Sequence, residues 1–86
     1  MTVRYSRRFR KQFQKLPVKT QLQFERRFNL FLADPRHPML NIHALSGKYD
    51  QSLSMSVSGD VRAIFERQKD RAEILLLAIG THSQLY

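Results

Sequence analysis

The hydrophobic positions change their period along the chain, and those changes divide it into elements. Thr2 to Tyr5 is short and partly β-branched, which predicts an edge strand. From Ser6 onward Phe9, Phe13 and Leu16 recur at helical spacing, with the Ser6 hydroxyl placed to cap the first turn. Pro17 ends that helix and suits the first turn of another. The second helix is predicted over Val18 to Ala33. Its apolar stripe is Leu22, Phe24, Phe28, Phe31 and Leu32, opposite Lys19, Glu25 and Arg26, and Asp34-Pro35 stops it. Residues 35–47, PRHPMLNIHALSG, have no clean period and read as a loop. From Leu53 the period falls to two: Leu53, Met55 and Val57 alternate with Ser52, Ser54, Ser56 and Ser58, the pattern of a strand with one face wet. Ser58-Gly59-Asp60 is turn chemistry, Val61 to Arg67 returns as a second strand, and Gln68 to Arg71 makes another polar turn. The apolar run Ile74 to Ile79 is too short for a useful helix and too apolar for a surface strand. It predicts a strand buried on both faces, ended by Gly80 and followed by a polar tail that carries His82 and Tyr86.

This order describes one α+β domain over residues 1–86: an N-terminal strand, a two-helix hairpin, an antiparallel three-stranded meander and a short C-terminal tail. A chain of 86 residues can build one small core and no more. Phe9, Phe13, Phe24, Phe28 and Phe31 could stack on bases, but their helical spacing assigns them to that core. The absence of cysteine excludes disulfides and thiolate metal sites. Met1 to Phe9 is polar and basic rather than signal-like, and no stretch reaches the roughly 18 apolar residues of a membrane span. A cytoplasmic protein with no membrane partner is the expectation.

Charge narrows the partners. The formal net charge is +8, and residues 1–36 hold all of it, with ten Lys and Arg against Glu25 and Asp34; residues 37–86 hold five of each sign. A one-sided basic segment is the footprint of a polyanion binder, nucleic acid first.

Several chemistries lack their residues. His37, His43 and His82 make no metal-site spacing, the serines have no GxSxG context, and Gly47, Gly59 and Gly80 are too dispersed for a phosphate loop. What the chain does offer is a proton shuttle and a cation. Attack of an RNA 2′-hydroxyl on its own phosphodiester needs a group to take the 2′ proton, a group to give one to the departing 5′ oxygen, and positive charge on the phosphorane. Histidine suits the proton transfers and the arginine fork suits the phosphate. Alternation puts Arg62 on the face opposite Val61, Ala63 and Phe65, on a strand expected to neighbour Ile74 to Ile79.

Taken together, RRFRKQFQKLP, a second helix ending in proline, HALSG, SGDVRAIF and the closing ILLLAIGTHSQLY resemble the RelE/ParE superfamily of bacterial toxins, most of all its YafQ-like branch. The resemblance covers essentially the whole chain and implies a RelE-like fold. It also implies a toxin of a type II toxin–antitoxin system, a ribosome-dependent endoribonuclease that cuts mRNA in the decoding site without a cofactor. On that resemblance His82 and Tyr86 fall at a catalytic histidine and a terminal aromatic. Arg62 matches an arginine that holds the scissile phosphate, and Asp60 and His43 match an acidic residue and a histidine used in activity. Arg7, Arg8, Arg10, Lys11, Lys15, Lys19, Arg26 and Arg27, with Lys48, would bind RNA. The implied partners are mRNA, the 70S ribosome and a cognate antitoxin, through which the complex would bind operator DNA.

The chain departs from the YafQ pattern at Ser56 for a sheet histidine, Val61 for an aromatic, Ala78 for an arginine on the last strand and Met39 for a loop glutamate. The resemblance and the basic charge leave two other functions open. A ParE-like toxin that inhibits DNA gyrase would generally lack the terminal histidine and aromatic, and a basic RNA-binding module would cause no growth arrest.

Overall fold

The structure, a computed structural model, describes residues 2–86. In chain order the elements are β1 (Thr2–Tyr5), α1 (Arg7–Gln14), α2 (Val18–Ala33), β2 (His43–Ala44), β3 (Leu53–Ser58), β4 (Val61–Gln68), β5 (Glu73–Thr81) and α3 (His82–Leu85). The strands form one sheet in the order β1-β5-β4-β3-β2, with β1 parallel to β5 and the other pairs antiparallel. The expected architecture is therefore present, with a strand added inside the expected loop. β2 escaped the sequence reading because two residues cannot display a period.

One face of the sheet carries the main core. Met55 and Val57 of β3, Ala63 and Phe65 of β4, and Ile74, Leu76 and Ile79 of β5 pack with Phe9, Phe24, Phe28 and Phe31 of the two helices. Phe24, Phe28 and Phe31 form a stacked ladder on α2, and the edge of Phe65 meets Phe31 at a centroid distance of 5.0 Å. The α2 stripe is narrower than predicted: Leu22 and Leu32 are 48% and 45% exposed. They lie outside the band that α2 can press on the sheet. Phe13 is half-buried at the edge of the core, beside Phe9 and Phe24.

β5 has burial on both faces, as its apolar run requires. Pairing shifts between Ile64/Phe65 and their partners, leaving Leu77 as an extra residue. This bulge changes which parity faces the helices, so Ile74, Leu76 and Ile79 share the main core. Ala78 turns to a smaller cluster with Tyr49, Ile64 and Leu85 on the opposite face. Ser6 holds the bulge in place. Its hydroxyl donates to the Leu77 carbonyl at 2.7 Å and accepts from the Phe9 amide at 2.9 Å, capping α1. Further along, the Ile79 amide donates to Gln12 Oε1 at 3.0 Å. Thus α1 satisfies the stretch of the β5 edge that β1 does not reach.

Candidate active site

The second face of the sheet was expected to be wet, and it is only partly so. Ser52 and Ser54 are 2% and 1% exposed, because residues 43–49 and α3 fold over the strands that carry them. Where that cover is incomplete, an open cleft of about 490 Å³ is lined by His43, Ala44, Leu45, Ser46, Ser54, Arg62, His82 and Tyr86.

Strand register brings these residues together. His43 pairs with Ser54 across β2 and β3, and paired residues share a face. One row along, Arg62 stands between Ser56 on β3 and Gly80 on β5. The half-buried Arg62 is held on two sides: Nε donates to Ser54 Oγ at 2.6 Å and Nη2 to the Asn41 carbonyl at 3.2 Å. Asn41 takes a left-handed backbone, φ 46°, a conformation that asparagine tolerates better than most residues. Two of the five guanidinium N–H donors are thereby used, and the fork is oriented with the rest able to meet an anion.

The tail beyond β5 is a capped helical turn. Gly80 does not end the strand, which continues to Thr81. It allows close approach instead: a Cβ there would lie 2.7 Å from Gln84 Oε1. That oxygen accepts from the Thr81 amide at 2.8 Å, while Thr81 Oγ1 accepts from the Gln84 amide at 3.3 Å, a reciprocal capping box. Leu85 is buried beneath the turn, and its carbonyl accepts from the Tyr49 hydroxyl at 2.9 Å. His82 and Tyr86, four residues apart, consequently present neighbouring rings with centroids 4.7 Å apart, and Tyr86 meets the Tyr49 ring edge-on at 5.5 Å.

Four of the five candidate catalytic residues, His43, Arg62, His82 and Tyr86, thus line one cleft. Asp60 does not: it is exposed in the β3–β4 turn and forms no part of the lining. Arg7, Arg8, Arg10, Lys11, Lys15, Lys19, Arg26 and Lys48 are exposed. Arg27 differs, since its Nη1 donates to the Met39 carbonyl at 2.7 Å and the Ser56 carbonyl at 3.4 Å, tying α2 to the sheet. Of the departures from the YafQ pattern, Ala78 is fully buried with Ile64 and Leu85, where a cation would be sealed from water. Sequence reasoning missed Ser54 and Tyr49. Ser54 was hidden in a serine alternation that resembled a solvated face, and Tyr49 had no periodic partner.

Among the described residues no three His, Cys, Asp or Glu side chains group as a metal site, and no helix is long and apolar enough to cross a membrane. A second groove of about 650 Å³ lies on the helix side, lined by Val3, Tyr5, Phe9, Arg10, Phe13 and Leu32 among others.

No protein-family model and no curated protein matches the chain. Solved structures do match. YafQ from E. coli is similar over 98% of this chain and 96% of its own, with a TM-score of 0.83 and 16% identity. The archaeal RelE in the RelE–RelB complex from Pyrococcus horikoshii covers 96% of each chain at a TM-score of 0.76 and 19% identity. The toxin–antitoxin complex RelBE2 from Mycobacterium tuberculosis matches 94% of this chain and 96% of that one, at 0.67 and 18%. The chain has the fold of the RelE/ParE toxin superfamily, with a YafQ structure among its neighbours.

Proposed function

We propose that this protein is the toxin of a type II toxin–antitoxin system and that it cleaves mRNA on the ribosome by 2′-hydroxyl attack. The observation that carries the reading is the convergence of Arg62, His43, His82 and Tyr86 on one open cleft, with the Arg62 guanidinium oriented by Ser54 and Asn41. In this reaction the 2′ oxygen forms a bond to phosphorus and the bond to the 5′ oxygen breaks, leaving a 2′,3′-cyclic phosphate and a 5′-hydroxyl. Arg62 holds the non-bridging oxygens and stabilises the charge of the phosphorane. One of the two imidazoles takes the 2′ proton and the other returns a proton to the departing oxygen, with His82 in one of these roles and His43 in the other. Tyr86, half exposed beside His82, stacks on a base next to the scissile bond or assists the transfer. Exposed cations of the α1–α2 hairpin contact RNA, which matches the one-sided charge.

A cognate antitoxin is the partner that the toxin reading requires. The apolar groove between β1, α1 and α2, rimmed by Arg10 and close to the other α1 cations, suits an acidic amphipathic segment.

Expression of Arg62→Ala and His82→Ala variants tests the assignment. Primer extension on ribosome-bound messages is expected to show cleavage reduced at least a hundredfold, the usual scale for removing a transition-state donor, together with loss of growth arrest. Variants that cut and arrest growth like the parent would overturn it. DNA damage without message cleavage would instead favour gyrase inhibition.

A further inference from the structure

Two cations outside the cleft meet at one aromatic ring. The Arg8 guanidinium carbon lies 5.7 Å from the centroid of Tyr49, and the Lys48 ammonium lies 5.4 Å from it. They come from different parts of the chain: Arg8 from the first turn of α1, and Lys48 from the short turn Gly47–Tyr49 that also carries the ring. Arg8 is placed by the same face of α1 that carries Gln12, four residues on, whose side chain binds the Ile79 amide. Both cations are exposed, and neither has a carboxylate within ion-pair distance; the salt bridge among the described residues joins Arg4 to Glu73. Each cation lies against the Tyr49 ring without an acidic partner, and a phosphate seated at that ring would supply the missing counter-charge. The ring they share is continuous with the cleft, through Tyr49 against Tyr86 at 5.5 Å and Tyr86 against His82 at 4.7 Å.

We infer that Arg8 and Lys48 form a second phosphate subsite, which holds the phosphate one nucleotide away from the scissile one while the intervening base lies on Tyr86. This rests on the ribonuclease reading and extends it: the substrate strand runs from Arg62 across Tyr86 to the Arg8–Lys48 pair. These two cations thereby act on the cleaved strand and not on ribosomal RNA at large. The remaining basic residues of α1 and α2 have no such connection to the cleft.

The test uses the full chain and uncleavable 2′-O-methyl oligoribonucleotides, titrated by NMR so that weak binding is measurable. A dinucleotide supplies one bridging phosphate and a trinucleotide two. For the parent protein the trinucleotide should bind more tightly and with a salt dependence steeper by about 0.7 in log–log slope, the value for one single-strand phosphate contact. The double variant Arg8→Gln/Lys48→Gln should bind the dinucleotide as the parent does and lose the trinucleotide increment, about tenfold at low salt. Lys69→Gln/Arg71→Gln removes the same charge from the exposed turn between β4 and β5 and should keep the increment. The subsite is overturned if the increment survives in Arg8→Gln/Lys48→Gln, if both double variants lose it equally, or if neither oligonucleotide binds the parent. Binding here needs no cleavage, so a failure of the ribonuclease reading shows separately, in the message-cleavage assay of Arg62→Ala and His82→Ala.

Discussion

On the helix side of the sheet Met55, Val57, Ala63, Phe65, Leu76 and Ile79 face four buried phenylalanines; on the other side β3 and β4 present Ser54, Ser56, Arg62 and Glu66, with Ser52 just before β3. Both faces are covered, by different means. The first is covered by two helices pressing an aromatic layer onto the strands. The second is covered by residues 43–49 and a single helical turn, which seal only the cluster around Tyr49, Ile64, Ala78 and Leu85. Beside that cluster the polar row stays open, and there the arginine is held by a serine hydroxyl and a backbone carbonyl. Stability is concentrated on one face, and the other is left free to carry charged groups at modest energetic cost.

The contrast can be broken from either side. Phe65→Ala should have the largest effect, a loss of about 3–5 kcal/mol in urea unfolding, because the ring is 1% exposed and its neighbours cannot collapse around the cavity. Ser54→Ala attacks the other face: it frees one side of the Arg62 guanidinium. Message cleavage should fall about tenfold through looser positioning, while Tm changes little. A fall in stability comparable to Phe65→Ala would mean that the polar row also carries the fold. Gly80→Ala displaces Gln84 Oε1 from the Thr81 amide and should cost about 1 kcal/mol, as the loss of a cap does. Hydrogen exchange at the amides of 82–86 would report it as faster opening of that turn, with the main core unchanged. The smallest expected effect is a gain. Ala72 has φ 50°, a left-handed conformation that glycine adopts freely, so Ala72→Gly should raise stability by roughly 0.5–1 kcal/mol without altering cleavage.

How much of this was legible follows from the range of each signal. Helix and strand periods placed α2, β3 and β4 within a residue, since alternation and helical spacing are local properties of the chain; α1 stops at Gln14, short of the expected end at Pro17. They also put Arg62 on the face opposite Phe65. The run Ile74 to Ile79 gave a doubly buried strand, but no local pattern reveals a bulge at Leu77, which depends on pairing with Ile64 and Phe65 and on the Ser6 hydroxyl. The same limit explains the misread features. Serines that alternate are wet only if nothing folds over them, and a glycine after an apolar run ends a strand only if no later turn needs its space.

By itself, then, the sequence determined the order of elements, the phenylalanine core, the one-sided charge and which residues could move protons or hold a phosphate. Tertiary structure alone decided that His43, Arg62, His82 and Tyr86 share a cleft while Asp60 does not, that Ser54 orients the arginine, and that Arg8 and Lys48 meet at Tyr49. The physical reason is that periodicity records which side of its own element a residue occupies. The site is assembled from residues of β2, β3, β4, α3 and the turn before β3, whose mutual placement is set by register, a bulge and one capped turn.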